Sequence, residues 1–156
     1  MRMLQLEGNG AIAVINAPDP IPGPDEVIVK TAVSALCGSE LHGYRSPDGQ
    51  DGNSGHEAAG TVVALGQDVT TLRVGQRVGL SAIAGCGACT ECAQGRYTWC
   101  SSWRFYGNMH ADKICIAANT CYPLPEDVSW QAGVLLCGDG LGVPYHTSLK
   151  GAEPSI

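Results

Sequence analysis

The sequence predicts a mainly β domain with short helices, folded as a partly open β-barrel or sandwich with one inserted cysteine-bearing lobe. Three observations point to it. Short β-rich segments are separated by turn residues, glycine is abundant (21 of 156 residues) while aromatic residues are few, and four cysteines cluster in one stretch. Abundant glycine with few aromatic residues favours turns and short strands over long helices. We expect one domain over residues 1–156, with the lobe at residues 85–102.

The first elements are a hairpin and a long strand. Residues 4–7 and 11–15 are predicted strands, because Asn9-Gly10 between them is a type I′ turn signal. The same stretch matches a dinucleotide-binding glycine pattern superficially, but no helical pattern follows it and prolines soon break the chain. The segment 26–36 alternates apolar and polar residues, which predicts a long strand.

The rest of the chain continues the β pattern and ends in helix. Residues 39–44 are predicted to form a short helical turn and residues 46–54 a loop. Further strands are predicted at 58–65, 75–82 and 113–117. Residues 129–149 are predicted to be mostly helical, with interruptions at Gly138, Gly140, Gly142 and Pro144.

Charge and composition exclude several classes of partner. The net charge is −6 and no basic run is present, so neither nucleic acid nor an anionic membrane is an expected partner. No segment reaches the roughly 20 apolar residues of a membrane span, and the first ten residues lack a signal-peptide core. We therefore expect a cytoplasmic protein, and in a reducing compartment eight cysteines indicate metal binding or catalysis rather than disulfides.

The most specific motif is Cys86-x₂-Cys89-x₂-Cys92-x₇-Cys100. Zinc prefers four tetrahedral ligands, and closely spaced thiolates can wrap around one ion. Because four thiolates leave no open position, such a site is structural rather than catalytic. Two alternatives remain at this stage: a redox pair, which lacks its usual βαβ context here, and an iron–sulfur cluster, which shares the short cysteine spacing.

A second group of polar residues is scattered around two strands. Cys37, Ser39 and His42 follow the long strand, and Gly55-His56-Glu57 begins another. Together with the cysteine lobe, this order and spacing resembles the zinc-dependent medium-chain dehydrogenases, which include alcohol, sorbitol and threonine dehydrogenases. The resemblance is close over residues 27–100 and looser over the whole chain. It implies a GroES-like, partly open β-barrel and an oxidoreductase acting on an alcohol.

The resemblance implies a role for each residue of this group. Cys37 and His56 would be ligands of a catalytic zinc, and Ser39 would touch the substrate oxygen. His42 would lie further along the path that carries the released proton to solvent. Glu57 would be the acidic neighbour of the metal, able to approach it when the coordination changes.

A third protein ligand and its surroundings are also implied. The segment before the glycine-rich helix start resembles the family's third-ligand position, where Asp139 is the favoured ligand and Cys137 the alternative; both are chemically suitable. Glu40, whose side chain is longer, stands where the family often has Asp, and could hold the far nitrogen of His56. One thiolate, one imidazole and one carboxylate would leave zinc electrophilic enough to bind an alcohol and lower its pKa.

The cofactor would be NAD or NADP, bound in the family by a separate Rossmann domain with its own glycine motif. We expect that domain to be absent, with residues 151–156 lying about where it would begin. The isolated chain is then expected to be inactive on small alcohols or polyols and able to self-associate as a homo-oligomer. A non-enzymatic zinc-binding structural or interaction module is the competing function, and an iron–sulfur electron carrier is a third.

Some residues invite simpler interpretations. Cys115 and Cys121 are expected to be buried packing residues. Trp99 and Trp103 are expected to pack the lobe against the barrel. His110 and His146 have no partner that the sequence identifies.

Overall fold

The computed structural model describes residues 1–151, with side chains described through residue 148. The expectation about residues 151–156 therefore lies, from residue 152 onward, outside the described residues. The strands of the described part are, in chain order, β1 (Arg2–Gly8), β2 (Ala11–Asn16), β3 (Glu26–Ala35), β4 (Glu57–Leu65), β5 (Arg77–Leu80), β6 (Ile83–Ala84), β7 (Arg104–Phe105), β8 (Lys113–Ala117) and β9 (Cys121–Pro123). The α-helices are α1 (Leu41–Arg45), α2 (Thr90–Ala93), α3 (Trp130–Cys137) and α4 (Asp139–Gly151).

The strands form three sheets that do not close on one another. The main sheet has the order β8-β3-β4-β5-β9, and the pairs β1-β2 and β6-β7 form small sheets of their own. All strand pairs between residues 1 and 151 are antiparallel. The predicted mainly β, partly open fold is confirmed.

The N-terminal hairpin is found where the sequence predicts it. β1 and β2 pair antiparallel, and Asn9 and Gly10 have φ values of 51° and 78°. Two successive positive φ angles are the mark of a type I′ turn, whose twist matches that of the strands. The predicted helical turn after β3 is also present, as a 3₁₀ turn over Gly38–Glu40 that leads into α1.

Strand β3 is buried more completely than its alternating apolar and polar residues predict. Val27, Ile28 and Val29 of β3 are all buried, and Ile28 lies outside the main apolar cluster. This follows from the position of β3, because α3 contacts β3, β4 and β5. The main cluster itself draws on five strands and the loops between them: Val27, Val29, Ala58, Val62, Leu72, Val78, Leu80, Ala82, Met109, Ile114, Ile116 and Cys121.

Arg77 of β5 anchors the segment that leads into α3. Its guanidinium donates to the carbonyls of Pro125, Glu126 and Val128, and lies 4.2 Å from the ring centroid of Trp130. Charge-assisted hydrogen bonds and cation–π contact together fix where α3 begins. This anchor sets the path of the chain towards Gly138 and α4.

The predicted helical region 129–149 breaks only once. α3 ends before Gly138, whose ψ of −162° is extended, and α4 then runs through Gly140, Gly142 and Pro144 without interruption. A Cβ at Gly138 would lie 2.8 Å from Glu57 Oε1, so the missing side chain lets that carboxylate approach the start of α4. None of the helices within residues 1–151 combines the length and apolar character needed to cross a bilayer.

Candidate metal centres and their surroundings

The four lobe cysteines converge on one point. The sulfurs of Cys86, Cys89, Cys92 and Cys100 all lie within 4.8 Å of one another, with Cys86–Cys92 at 3.9 Å and Cys89–Cys92 at 3.5 Å. Four thiolates bound about 2.3 Å from a tetrahedral zinc lie roughly 3.8 Å apart. All four cysteines are free rather than disulfide-bonded, so the donor set fits one zinc ion.

Local backbone conformation brings the lobe sulfurs together. Gly87 and Gly95 take φ values of 77° and 71°, a region that L residues with side chains rarely adopt. The main-chain N–H groups of Cys86 and Ser102 both donate to Cys100 Sγ, at 3.3 and 3.4 Å. These two hydrogen bonds hold the Cys100 sulfur in place within the lobe.

The lobe thiols differ in their electrostatics. The main-chain amides of Ala88 and Cys89 lower the pKa of Cys86 to about 6. Burial raises the pKa of Cys92 to about 11. A divalent cation bound among them would favour the thiolate form of every member, because the ligand is the thiolate and not the thiol.

The scattered residues meet where β3 ends and β4 begins. Cys37 follows β3 and starts the 3₁₀ turn, while His56 directly precedes β4 and Glu57 is its first residue. Antiparallel pairing of β3 with β4 brings these two strand ends side by side. The ligand atoms of Cys37, His56 and Glu57 lie within 4.8 Å of one another. One thiol, one imidazole and one carboxylate form a donor set suited to a catalytic zinc.

Hydrogen bonds orient the His56 ring. Its Nδ1 lies 2.9 Å from the carbonyl oxygen of Ser54, so Nδ1–H donates there and Nε2 is left to bind a ligand. Glu40 Oε1 is 3.7 Å from the same Nδ1. The expectation that Glu40 holds the far nitrogen of His56 is therefore wrong in its direct form. The main-chain carbonyl does so, because it lies closer than the carboxylate.

The two central ligand candidates influence each other's protonation. Burial opposes a charged imidazole, but the Ser54 carbonyl, the Cys37 thiol and Glu40 together raise the pKa of His56. The side chain and amide of Ser39, followed by His56, lower the pKa of Cys37. A thiolate at Cys37 is favoured by this arrangement.

Two carboxylates compete for the third ligand position. Glu57 is buried, and its Oε1 accepts a hydrogen bond from the main-chain N–H of Asp139 at 2.9 Å. Asp139 is exposed, with Oδ2 at 3.5 Å from His56 Nε2. Glu57 thus fixes the main chain of Asp139, the first residue of α4. The Asp139 carboxylate then lies near the free nitrogen of His56. The side chain of Cys137 is placed differently, because its sulfur lies against Gly79 of β5, and burial raises its pKa.

The predicted proton-carrying residues lie on the solvent side of this cluster. Ser39 is exposed in the 3₁₀ turn next to Cys37, and His42 is exposed on α1. Within the described part of the chain, the His42 ring has no hydrogen-bond partner. Their roles remain predictions.

A cavity of about 540 Å³ opens between the lobe, β6, β7 and α4. Its lining includes His56, Trp99, Phe105, Asp139 and His146. Two expectations change here: Trp99 lines the cavity and is 73% exposed, and Trp103 is 52% exposed, so neither indole is packed between lobe and barrel. His146 also lines the cavity, a position that the sequence did not predict.

The other cysteines outside the two clusters are largely as expected. Cys121 is buried in the apolar cluster. Cys115 is only half-buried, and its thiol donates to Glu26 Oε2 at 3.2 Å. Neither belongs to a metal-ligand group among the described residues.

His110 is the residue that sequence reasoning missed. Its Nε2 lies 2.6 Å from Glu40 Oε2, and its Nδ1 lies 2.8 Å from Ser34 Oγ. Seventy residues separate His110 from Glu40, so no local spacing could reveal the pair. Tertiary contacts of the His110 segment with β1 and with the loop before β4 place it beside Glu40.

Comparison with known proteins identifies the class of domain. Residues 23–126 match the family model described as alcohol dehydrogenase GroES-like domain. A "probable zinc-binding alcohol dehydrogenase" of Mycobacterium tuberculosis is 35% identical over 147 residues, which cover 87% of this chain and 38% of that protein. A sorbitol dehydrogenase of Halalkalibacterium halodurans is 38% identical over 150 residues, covering 92% of this chain and 43% of that protein.

Solved structures agree with the sequence relatives. An alcohol dehydrogenase of Escherichia coli CFT073, described as short-chain and complexed with the cofactor NADH, has a TM-score of 0.73 at 28% identity, covering 87% of this chain and 42% of that one. The chain belongs to the zinc-dependent medium-chain dehydrogenase family, of which it contains the GroES-like domain. It spans less than half the length of these relatives.

Proposed function

We propose that this chain is the metal- and substrate-binding domain of an alcohol or polyol dehydrogenase. The observation that carries the proposal is the convergence of Cys37, His56 and Glu57, whose ligand atoms lie within 4.8 Å of one another beside the cavity. A purely structural zinc module needs only the closed four-cysteine set. A second cluster with mixed sulfur, nitrogen and oxygen donors indicates a site with an open position.

The chain's own residues would divide the work of the site. Cys37, His56 and one carboxylate, Asp139 or Glu57, would hold the ion, with His56 fixed in its Nδ1–H tautomer by Ser54. Zinc bound there would supply Lewis-acid chemistry to an alcohol oxygen. Ser39 would take the hydroxyl proton through its Oγ, and the exposed ring of His42 would pass it to solvent.

The cavity would hold the substrate carbon chain. Phe105 lies with its ring centroid 6.3 Å from that of His56, and Trp99 forms another part of the wall. Aromatic walls suit the carbon skeleton of a small alcohol, while Asp139 and His146 offer polar contacts for further hydroxyl groups. This mixture supports an alcohol or polyol as the substrate class, in line with the sorbitol dehydrogenase relative.

The nicotinamide cofactor would be bound by a different domain. Dinucleotide-binding domains of the Rossmann type are built on parallel strands, and every strand pair in residues 1–151 is antiparallel. We therefore expect this chain, assayed alone with NAD or NADP and small alcohols, to show no turnover. Turnover by the purified, zinc-loaded chain would contradict this part of the proposal.

Metal content is the measurement that tests the proposal. Protein purified without added metal should contain about two zinc ions per chain, and Cys37→Ser should contain about one, because each cluster holds one ion. Elemental mass spectrometry gives the count. Cys115→Ser is the matched control, since this half-buried thiol lies outside both clusters and should leave the count at two.

Other results would count against the proposal. One zinc in both the wild type and Cys37→Ser would show that only the lobe binds metal, which favours the structural-module alternative. Iron in place of zinc, with visible absorption, would favour an electron carrier.

A further inference from the structure

Cys37, His56 and Glu57 form what we call the assembled cluster, and the carboxylate of Glu40 is buried behind it. Only 3% of its side chain is exposed, so it needs hydrogen-bond partners within the protein. Its Oε1 accepts the main-chain N–H of Cys37 at 3.1 Å and lies 3.7 Å from His56 Nδ1. Glu40 therefore contacts both central ligand candidates: the main chain of Cys37 and the ring of His56.

The other oxygen of Glu40 is held from a different part of the fold. His110 Nε2 lies 2.6 Å from Oε2, and the far ring nitrogen lies 2.8 Å from Ser34 Oγ. His110 is itself 10% exposed. Since a carboxylate accepts, Nε2 carries the proton, and the Ser34 hydroxyl can donate to Nδ1.

His110 is also fixed against the segment that carries His56. A Cβ on Gly55 would lie 2.8 Å from the His110 ring, so this glycine allows the ring to sit directly over the backbone before His56. Asn53 Oδ1 accepts the main-chain N–H of both Gly55 and His110, at 3.1 and 3.2 Å. The ring is thus held rigidly from two sides.

We propose that His110 is a positioning residue of the assembled metal centre: with Ser34 it holds Glu40 in place, and Glu40 holds the Cys37 main chain and faces His56. This inference rests on the proposed function, since it concerns the metal site proposed there. Residues behind metal ligands that fix their orientation typically contribute about 10- to 100-fold to metal affinity. His110 makes that contribution without touching the metal.

Two substitutions separate positioning from packing. His110→Gln places an amide N–H₂ near the position of Nε2 and keeps a donor for Glu40. His110→Asn places its amide near Nδ1, where it reaches Ser34 and leaves Glu40 without its donor. We expect His110→Asn to weaken zinc binding at the assembled site about 10- to 100-fold, and His110→Gln to stay within a few-fold of wild type.

The measurement is zinc affinity by competition with a chromophoric chelator on the whole chain. The four-cysteine lobe is the internal control, because its affinity should be the same in every variant. Equal affinities in all three proteins would overturn the inference. An equal loss in both variants would also overturn it, since it would show a packing role alone.

A further variant covers the case in which His110→Asn does not fold. Ser34→Ala removes only the far hydrogen bond of the chain and should weaken the assembled site between about twofold and tenfold. No change in Ser34→Ala would overturn the inference. A wild-type chain that binds a single zinc would overturn the proposed function, and the inference with it, whatever the variants do.

Discussion

The two metal-ligand clusters are built in opposite ways. All four lobe ligands come from one stretch of 15 residues, Cys86 to Cys100, folded by turns, a short helix and glycines of positive φ. The assembled cluster draws Cys37 from just after β3, and His56 and Glu57 from the point where β4 begins, with Asp139 of α4 close to His56. The lobe is held by local conformation, and the assembled cluster by the whole barrel.

The two clusters are therefore sensitive to different substitutions. In the lobe, the ligands and the backbone that carries them are one unit, so the metal and the local fold should be lost together. In the assembled cluster, the ligands lie at the ends of strands that are joined by the main-chain pairing of β3 with β4. Its geometry should therefore respond to distant residues that hold those strand ends, such as Asn53 and His110.

The largest expected effect is the removal of a lobe ligand. Cys100→Ala should lose one zinc and several kcal/mol of stability, because structural zinc contributes directly to the folding free energy. Zinc content and denaturant unfolding measure the two losses. Cys121→Ala is the matched control, since its thiol is buried to a similar degree, 6% exposed against 2% for Cys100.

The control defines the outcome that would contradict this prediction. Cys121→Ala removes a buried thiol from the apolar cluster and should cost only packing energy with no change in zinc content. If both variants kept two zinc ions and lost the same stability, Cys100 would be a packing residue and the lobe would not bind metal through it.

An intermediate effect is expected at Asn53, which is 4% exposed. Its Oδ1 accepts from Gly55 and His110, and its Nδ2 donates to the Leu4 carbonyl at 3.0 Å. Asn53→Ala leaves these groups unsatisfied and should cost about 1–3 kcal/mol in urea unfolding. It should weaken zinc at the assembled cluster and leave the lobe unchanged.

The control for Asn53 is an exposed asparagine. Asn16→Ala, at the end of β2, should change the free energy of unfolding by less than about 0.5 kcal/mol. Loss of the lobe zinc in Asn53→Ala would contradict the prediction, because it would show that the two clusters depend on each other.

The sequence predicts the two regions unequally, for the same physical reason. The lobe can be read from spacing, because its ligands and turns are local. Cys37, His56 and Glu57 could be proposed only through a family resemblance, and the structure then brought them together. The Glu40–His110 pair could not be predicted at all, since it depends on the tertiary arrangement of segments 70 residues apart.

The same limit explains the smaller errors. Ile28 is buried because α3 covers the main sheet. Trp99 is exposed because the lobe places it in the wall of the cavity. The uninterrupted course of α4 through Pro144 has no explanation in the structure. For Ile28 and Trp99, a tertiary arrangement decides what a local pattern leaves open.

Thiol reactivity offers the finest comparison of the two clusters. The thiolate is the reactive form, so a lowered pKa means reaction at neutral pH and loss of reaction as the pH falls through that pKa. Main-chain amides lower the pKa of Cys86 to about 6, whereas burial first and then Glu26 raise the pKa of Cys115 to about 12. Cys115 therefore serves as the unreactive control.

In the metal-free chain, alkylation of Cys86, mapped by mass spectrometry, should fall about tenfold between pH 7 and pH 5, because its thiolate fraction falls by that factor. Cys115 should stay nearly unlabelled throughout. One equivalent of zinc should protect Cys86, and Cys37 should be protected only by the second, because four thiolates bind zinc more tightly than a mixed set with an open position. If Cys86 instead reacted with the pH dependence of a free cysteine, near 8.5, the amides around it would not be in place without metal. The lobe would then take its fold only on binding zinc.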